Sequence, residues 1–121
     1  FIIIPKSETS PINGETIKSS SGAIFNVPIC KVDHIKDAIF FLKEFGIKII
    51  GSDDKASNDL FKHKFDSKTA IIMGSEGDGI KKSTLALCDE KVSIKLYGKL
   101  SSLNVSVAAG IFLSEFKRQS L

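Results

Sequence analysis

The chain has no tryptophan, one tyrosine (Tyr97), one methionine (Met73) and a single arginine, Arg118, so 16 of its 17 basic residues are lysines. Chemistry that needs a planar guanidinium fork must use Arg118 or a group from outside the chain. Cysteine is scarce too. Cys30 and Cys88 stand far apart with no other Cys or His at metal-ligand spacing, which excludes a disulfide framework or a zinc site and leaves two reduced core thiols. No apolar run approaches the roughly 18 residues of a membrane span, and FIIIPK at the start lacks the basic opening of a secretory signal. The expected setting is cytoplasmic, with no membrane partner. A net charge of +3 permits a nucleic-acid partner without arguing for one.

What remains is an ordinary globular composition, 42% hydrophobic and 26% charged over 121 residues, enough for one domain with a real core. The first residues, Phe1 to Ile4, read as a strand buried on both faces and closed by Pro5. A domain rarely begins inside a buried strand, so the chain is expected to be a fragment. A polar stretch with a short helix from Asn13 toward Gly22 leads to a second strand, Pro28 to Val32. Asp33 is placed to cap a helix whose Ile35, Ala38, Ile39, Leu42 and Phe45 share one face, with Gly46 as a left-handed stop. His34 reads as a surface or capping residue. Ile47 to Ile50 is the next strand, and Gly51 to Asp66 reads as a solvated connector holding one helical turn. Further strands are expected at Thr69 to Met73 and Lys91 to Leu96, with a helix between them and a final helix from Asn104 to Gln119. This alternation predicts an α/β fold with a mostly parallel sheet flanked by helices.

Two stretches carry the chemistry. In TAIIMGSEGDGI, Gly74, Gly77 and Gly79 let the backbone turn sharply and leave its amides open to a polar or anionic ligand, although a bare strand-to-helix turn would use the same glycines. The spacing is neither the dinucleotide fingerprint nor a P-loop. Glu76 has no core to fill there and either orients a cation or donor or lies exposed on the turn. In SSLNVSVAAGIF, Ser101, Ser102, Asn104 and Ser106 gather where a helix begins; Asn104 or Ser102 as N-cap accounts for one of the four. The helix beyond reads as buried on two sides, with Val105, Ala108, Ala109, Phe112 and Phe116 on one and Val107 and Ile111 on the other. Ala108 to Gly110 allow close approach of a neighbouring helix or a second subunit.

The GSEGDG unit, the strand KVSIKL and SLNVSVAAGIFLSE, in this order, resemble the second and third signature motifs of the SpoU (TrmH) group of SPOUT RNA 2'-O-ribose methyltransferases. FIIIPK, KSSSGA at Lys18 to Ala23 and VPI at Val27 to Ile29 resemble the upstream part of the same catalytic domain, and the nearest branch is the one that methylates a guanosine ribose in large-subunit ribosomal RNA. The resemblance implies a SPOUT-type α/β knot, a deep C-terminal trefoil, in one catalytic domain spanning residues 1–121 but lacking its first strand and first motif. It implies S-adenosyl-L-methionine as cofactor, held at Gly74, Ile94 and Leu103 mostly through backbone groups, with Leu96 and Asn104 in the same pocket.

Glu76, Ser102 and Asn104 match the polar active-site residues, which position a catalytic arginine, the cofactor and the RNA. The partners implied are RNA, with ribosomal RNA ranked ahead of transfer RNA, and a second copy of the chain in a homodimer. The reaction implied is methyl transfer to a ribose 2'-hydroxyl, activated in the family by the arginine of an Asn-x-Gly-x-x-x-Arg motif. That motif is absent here and Arg118 does not match it, so the chain alone is expected to be inactive. Two rivals are an inactive RNA-binding relative and a nucleotide-phosphate-binding α/β module.

Overall fold

The structure, a computed structural model, describes residues 1–121. Its contacts group them into two compact units, Phe1–Phe41 and Leu42–Leu121. Every strand pairing in both is parallel, so the expected α/β class holds, but the strands form two sheets rather than one.

In the first unit β1 (Ile2–Pro5) pairs with β2 (Ile29–Val32), Ile2 opposite Ile29 and Pro5 opposite Val32. With one neighbour each, these strands are not buried on both faces: Ile2 is exposed, and so is Cys30, which was expected in the core. Between them α1 (Gly14–Ser19) starts at Asn13, whose side chain accepts from the Glu15 amide while Thr16 accepts from the Asn13 amide, a reciprocal cap. Gly22, at φ +78°, takes the chain into a 3-10 turn, Ala23–Asn26.

The unit boundary falls inside α2 (Ile35–Glu44), which buries Ile39 and Leu42. Asp33 does not cap it. The residue next to the helix is His34, whose carbonyl accepts from the Asp37 amide, and Asp33 instead pairs with Lys6 at 3.3 Å. Gly46, at φ +70°, donates to the Lys43 carbonyl while Ile47 donates to that of Leu42, so the left-handed stop forms as expected. Phe45 lies past the last helical residue on this turn and is 61% exposed, not on the buried face.

The second unit is built on a three-stranded sheet in the order β4 (Thr69–Ile72), β3 (Lys48–Ser52), β5 (Glu90–Val92). Central β3 is flanked on both sides, and Ile49 and Ile50 are fully buried. Ile50, Leu60, Val92 and Phe112 form the core, with Met73 and Ile94 packed against it. Leu60 sits in a 3-10 turn, Leu60–Lys62, begun by the Asp59 carboxylate accepting from the Phe61 amide. The connector read as solvated is thus anchored by a buried leucine.

After α3 (Lys82–Leu85), β5 is shorter than expected: it ends at Val92, with Ser93 bridging to Asp59 and its hydroxyl bonded to the Ala56 carbonyl. Ile94 to Leu96 belong to a loop. The last helix, α4 (Val105–Gln119), buries Phe112 and Glu115 but leaves Val107 and Leu113 exposed, so only one side is covered.

Candidate functional site

All the residues singled out for binding and catalysis lie in the second unit. β4 delivers Met73 into the core, and the chain then folds back on itself: Ser75 and Gly79 exchange backbone bonds, 3.0 Å from the Gly79 amide to the Ser75 carbonyl and 3.3 Å in return. Gly77 and Gly79 have φ of +84° and +68°, a region that favours glycine. Gly74 is required for another reason. A Cβ there would lie 2.5 Å from the Gly79 carbonyl carbon and 2.7 Å from the Ile80 nitrogen, so no side chain fits. The result is a tight, backbone-rich turn with Glu76 exposed on it.

The second stretch begins as β5 leaves the core. From Ile94 to Leu103 no backbone amide or carbonyl takes part in a hydrogen bond, while Ile94, Leu96 and Leu103 are half-buried. Most of this loop is exposed, so its backbone donors and acceptors are open to water or to a ligand, and only those at the half-buried Ile94, Leu96 and Leu103 lie beside apolar cover. The arrangement suits a flat heteroaromatic ring, whose edge pairs with backbone groups and whose faces need apolar contact.

Asn104 joins the two stretches. Its Nδ2 donates to Glu76 Oε1 at 3.3 Å, and its Oδ1 accepts from the Ser106 amide at 2.9 Å and from the Ser106 hydroxyl. It is therefore the N-cap of α4 and the link to the glycine turn at once. Ser102 is exposed and makes no hydrogen bond, so Glu76 and Asn104 are brought together while Ser102 only precedes them on the loop.

Other charged groups are engaged elsewhere. Glu115 accepts from Arg118 at 2.7 and 2.8 Å and from Gln119 at 2.8 Å, which holds its carboxyl down to about 2 and the guanidinium above its ordinary value. The only arginine is thus a partner of Glu115, away from the glycine turn. Gln119 also donates to the His63 carbonyl and accepts from the Phe65 amide, fastening the end of α4 to that segment. Asp89 accepts from the Ile49 amide at 2.7 Å, which lowers its pKa, and Lys48 is raised by its 2.6 Å contact with Glu90.

Sequence reasoning missed a groove of about 720 Å³ along the outer side of β5, lined by Lys62, His63, Lys64, Glu90, Lys95 and Tyr97 among others. Of the expected cofactor residues it includes only Leu96. The Lys62-His63-Lys64 run was its one signal, hidden in a stretch that reads as solvated connector.

The model of the SpoU rRNA Methylase family matches residues 1–114. A 23S rRNA (guanosine-2'-O-)-methyltransferase RlmB of Vibrio vulnificus is 39% identical over 99% of this chain and 49% of its own length, and that of Escherichia coli K12 is 38% identical over 98% and 49%. The chain therefore spans about half the length of these curated relatives. Among solved structures, the SpoU methyltransferase AviRb from Streptomyces viridochromogenes in complex with AdoMet superposes with a TM-score of 0.88 at 28% identity, covering 98% of this chain and 49% of that one. An AdoMet-bound rRNA methyltransferase from Sinorhizobium meliloti gives 0.88 at 27%, over 98% and 46%. With the family model matched over nearly its whole length, the chain belongs to the SpoU rRNA Methylase family.

Proposed function

We propose that this chain carries the S-adenosyl-L-methionine site of an RNA methyltransferase that modifies a ribose 2'-hydroxyl of ribosomal RNA. The observation that carries the reading is the Asn104–Glu76 bond, which ties the glycine turn to the start of α4 beside ten residues of unpaired backbone. Gly74, Ile94, Leu96, Leu103 and Asn104 would hold the cofactor. It supplies an electrophilic methyl group on sulfur. The loop's free backbone groups would pair with its adenine, and the half-buried Ile94, Leu96 and Leu103 would supply apolar contact. Asn104 holds the Glu76 carboxylate in place, and Ser102 offers a hydroxyl beside them.

A ribose hydroxyl needs its proton taken or its alkoxide stabilised at the moment of transfer. Arg118 does not fill that role, being bound to Glu115. The activating arginine is assigned to an upstream first motif outside this chain, and the 121 residues to the cofactor part of one catalytic domain, knotted at its C-terminal end. The hold of Gln119 on His63 and Phe65 supports a C-terminal segment fixed against the β3–β4 connection. Homodimer formation is supported by the exposed row of Val107, Gly110 and Leu113, three residues apart along α4. The proposed setting is the cytoplasm, and no helix is long and apolar enough to cross a membrane.

Incubation with large-subunit ribosomal RNA and tritiated S-adenosyl-L-methionine, using the chain together with its upstream sequence, tests the reading. Label resistant to alkali, as a 2'-O-methyl dinucleotide, is expected. Label on a base, or none, would contradict it.

A further inference from the structure

We propose that the groove along β5 is a site for single-stranded RNA, in which Lys62, Lys64 and Lys95 contact phosphates and Tyr97 stacks on a base. This rests on the RNA methyltransferase reading and assigns part of its substrate surface. The two acids of the groove are already used: Asp59 accepts from the Phe61 amide, and Glu90 is divided between Lys48 at 2.6 Å and His63 Nδ1 at 3.2 Å. Lys62 and Lys64 are exposed and meet no acid, and the Lys95 ammonium reaches only the Ala56 carbonyl, at 3.4 Å. The groove therefore offers an anion three lysines that form no ion pair, against one carboxylate, Asp59, that is turned to a backbone amide.

Its wall is rigid enough to place them. The backbone at His63 and Phe65 is fastened by Gln119, and the His63 ring is buried against Phe65 with its Nε2 unpartnered. Tyr97, the only tyrosine, is 96% exposed and contributes nothing to the core. An aromatic face beside lysines is the pairing that single strands use, phosphates on the cations and a base on the ring. A duplex hides its base faces, which favours an unpaired strand. Leu96 lines the groove and belongs to the proposed cofactor loop, so a strand lying there runs up to that loop.

The test is fluorescence anisotropy of a labelled single-stranded RNA 12-mer with the intact chain, across a salt series. S-adenosylhomocysteine binding is measured on the same samples by calorimetry. Replacing Lys62, Lys64 and Lys95 together by Gln is expected to weaken RNA binding at least about tenfold and to flatten the salt slope by about 2, some 0.7 per phosphate contact. Tyr97→Ala should weaken binding about five- to tenfold with the slope unchanged, and Tyr97→Phe should restore it. The same charge removal at Lys31, Lys36 and Lys117 should leave affinity within about twofold, since those lysines lie outside the groove.

Equal losses from both lysine sets, no loss from either, no RNA binding by the parent chain, or displacement of RNA by oligoglutamate as readily as by unlabelled RNA would each overturn the proposal. Retained S-adenosylhomocysteine binding in those cases leaves the cofactor reading standing, and its loss in the parent chain refutes that reading separately.

Discussion

Asn104 Nδ2 lies 3.3 Å from Glu76 Oε1, a bond between residues 28 positions apart that joins the glycine turn to the start of α4. Because Asn104 is also the helix cap, its two roles can be separated. Asn104→Ser keeps a capping oxygen but removes the donor to Glu76, so stability should stay within about 0.5 kcal/mol of the parent while S-adenosylhomocysteine affinity falls. Asn104→Ala should lose the affinity and about 1 kcal/mol of stability as well. Urea unfolding and calorimetry on both variants check this; parental affinity in Asn104→Ser would deny the bond a part in binding.

Gly74 and Gly110 predict opposite outcomes for the same substitution. At Gly74 the new Cβ meets backbone at 2.5 to 2.7 Å, which cannot yield as a side chain does, and Gly74→Ala should cost about 1–3 kcal/mol and distort the turn. At Gly110, inside α4, the Cβ meets nothing within 4 Å, so Gly110→Ala should add up to about 1 kcal/mol by helix propensity. Denaturant midpoints decide between gain and loss.

Glu115 gives the fold an acid limit. Its carboxyl titrates at about 2 against an ordinary 4.5, held down first by Arg118 and then by Gln119. The folded value lies below the unfolded one, so the stabilisation is fully present above about pH 4.5 and is lost as pH falls toward 2. Glu115→Gln should therefore be less stable than the parent at neutral pH, with the gap closing as pH drops through that window. Unfolding curves measured between pH 2 and about 7 test the sign.

The two thiols should differ in reactivity. Cys30 is exposed, whereas burial raises the Cys88 thiol above its ordinary value, with Gly51 packed closely enough that a Cβ there would lie 3.0 Å from its sulfur. Ellman's reagent should label one thiol per native chain quickly and the second about tenfold or more slowly, and Cys30→Ser should remove the fast phase.

Much of the fold can be read from the sequence because hydrophobic period and punctuation agree there: the strands around Ile49 and Ile71, the stop at Gly46 and the start of α4 at Asn104 all form as expected. The misreadings of burial have one kind of cause. Apolar runs show what a segment can bury, not what is present to cover it, so β1, Cys30 and Val107 read as core and are exposed or half-buried. The polar connector hides Leu60 in the same way, because one buried leucine among charges leaves no periodic trace. The glycine turn was legible as a sharp turn from its three glycines, and it forms with Gly74 in a place that admits no side chain. The groove was not, because Lys62 and Lys95 are distant in sequence and meet only when Ser93 docks on Asn58.

Titration of S-adenosylhomocysteine into the chain, with adenosine triphosphate as competitor, tests the central claim that residues 74–79 and 94–104 form the cofactor site. A saturable one-to-one isotherm that adenosine triphosphate does not displace, and that Gly74→Ala abolishes, is the result the account predicts. Binding of adenosine triphosphate in preference to S-adenosylhomocysteine, or undiminished binding by Gly74→Ala, would contradict it.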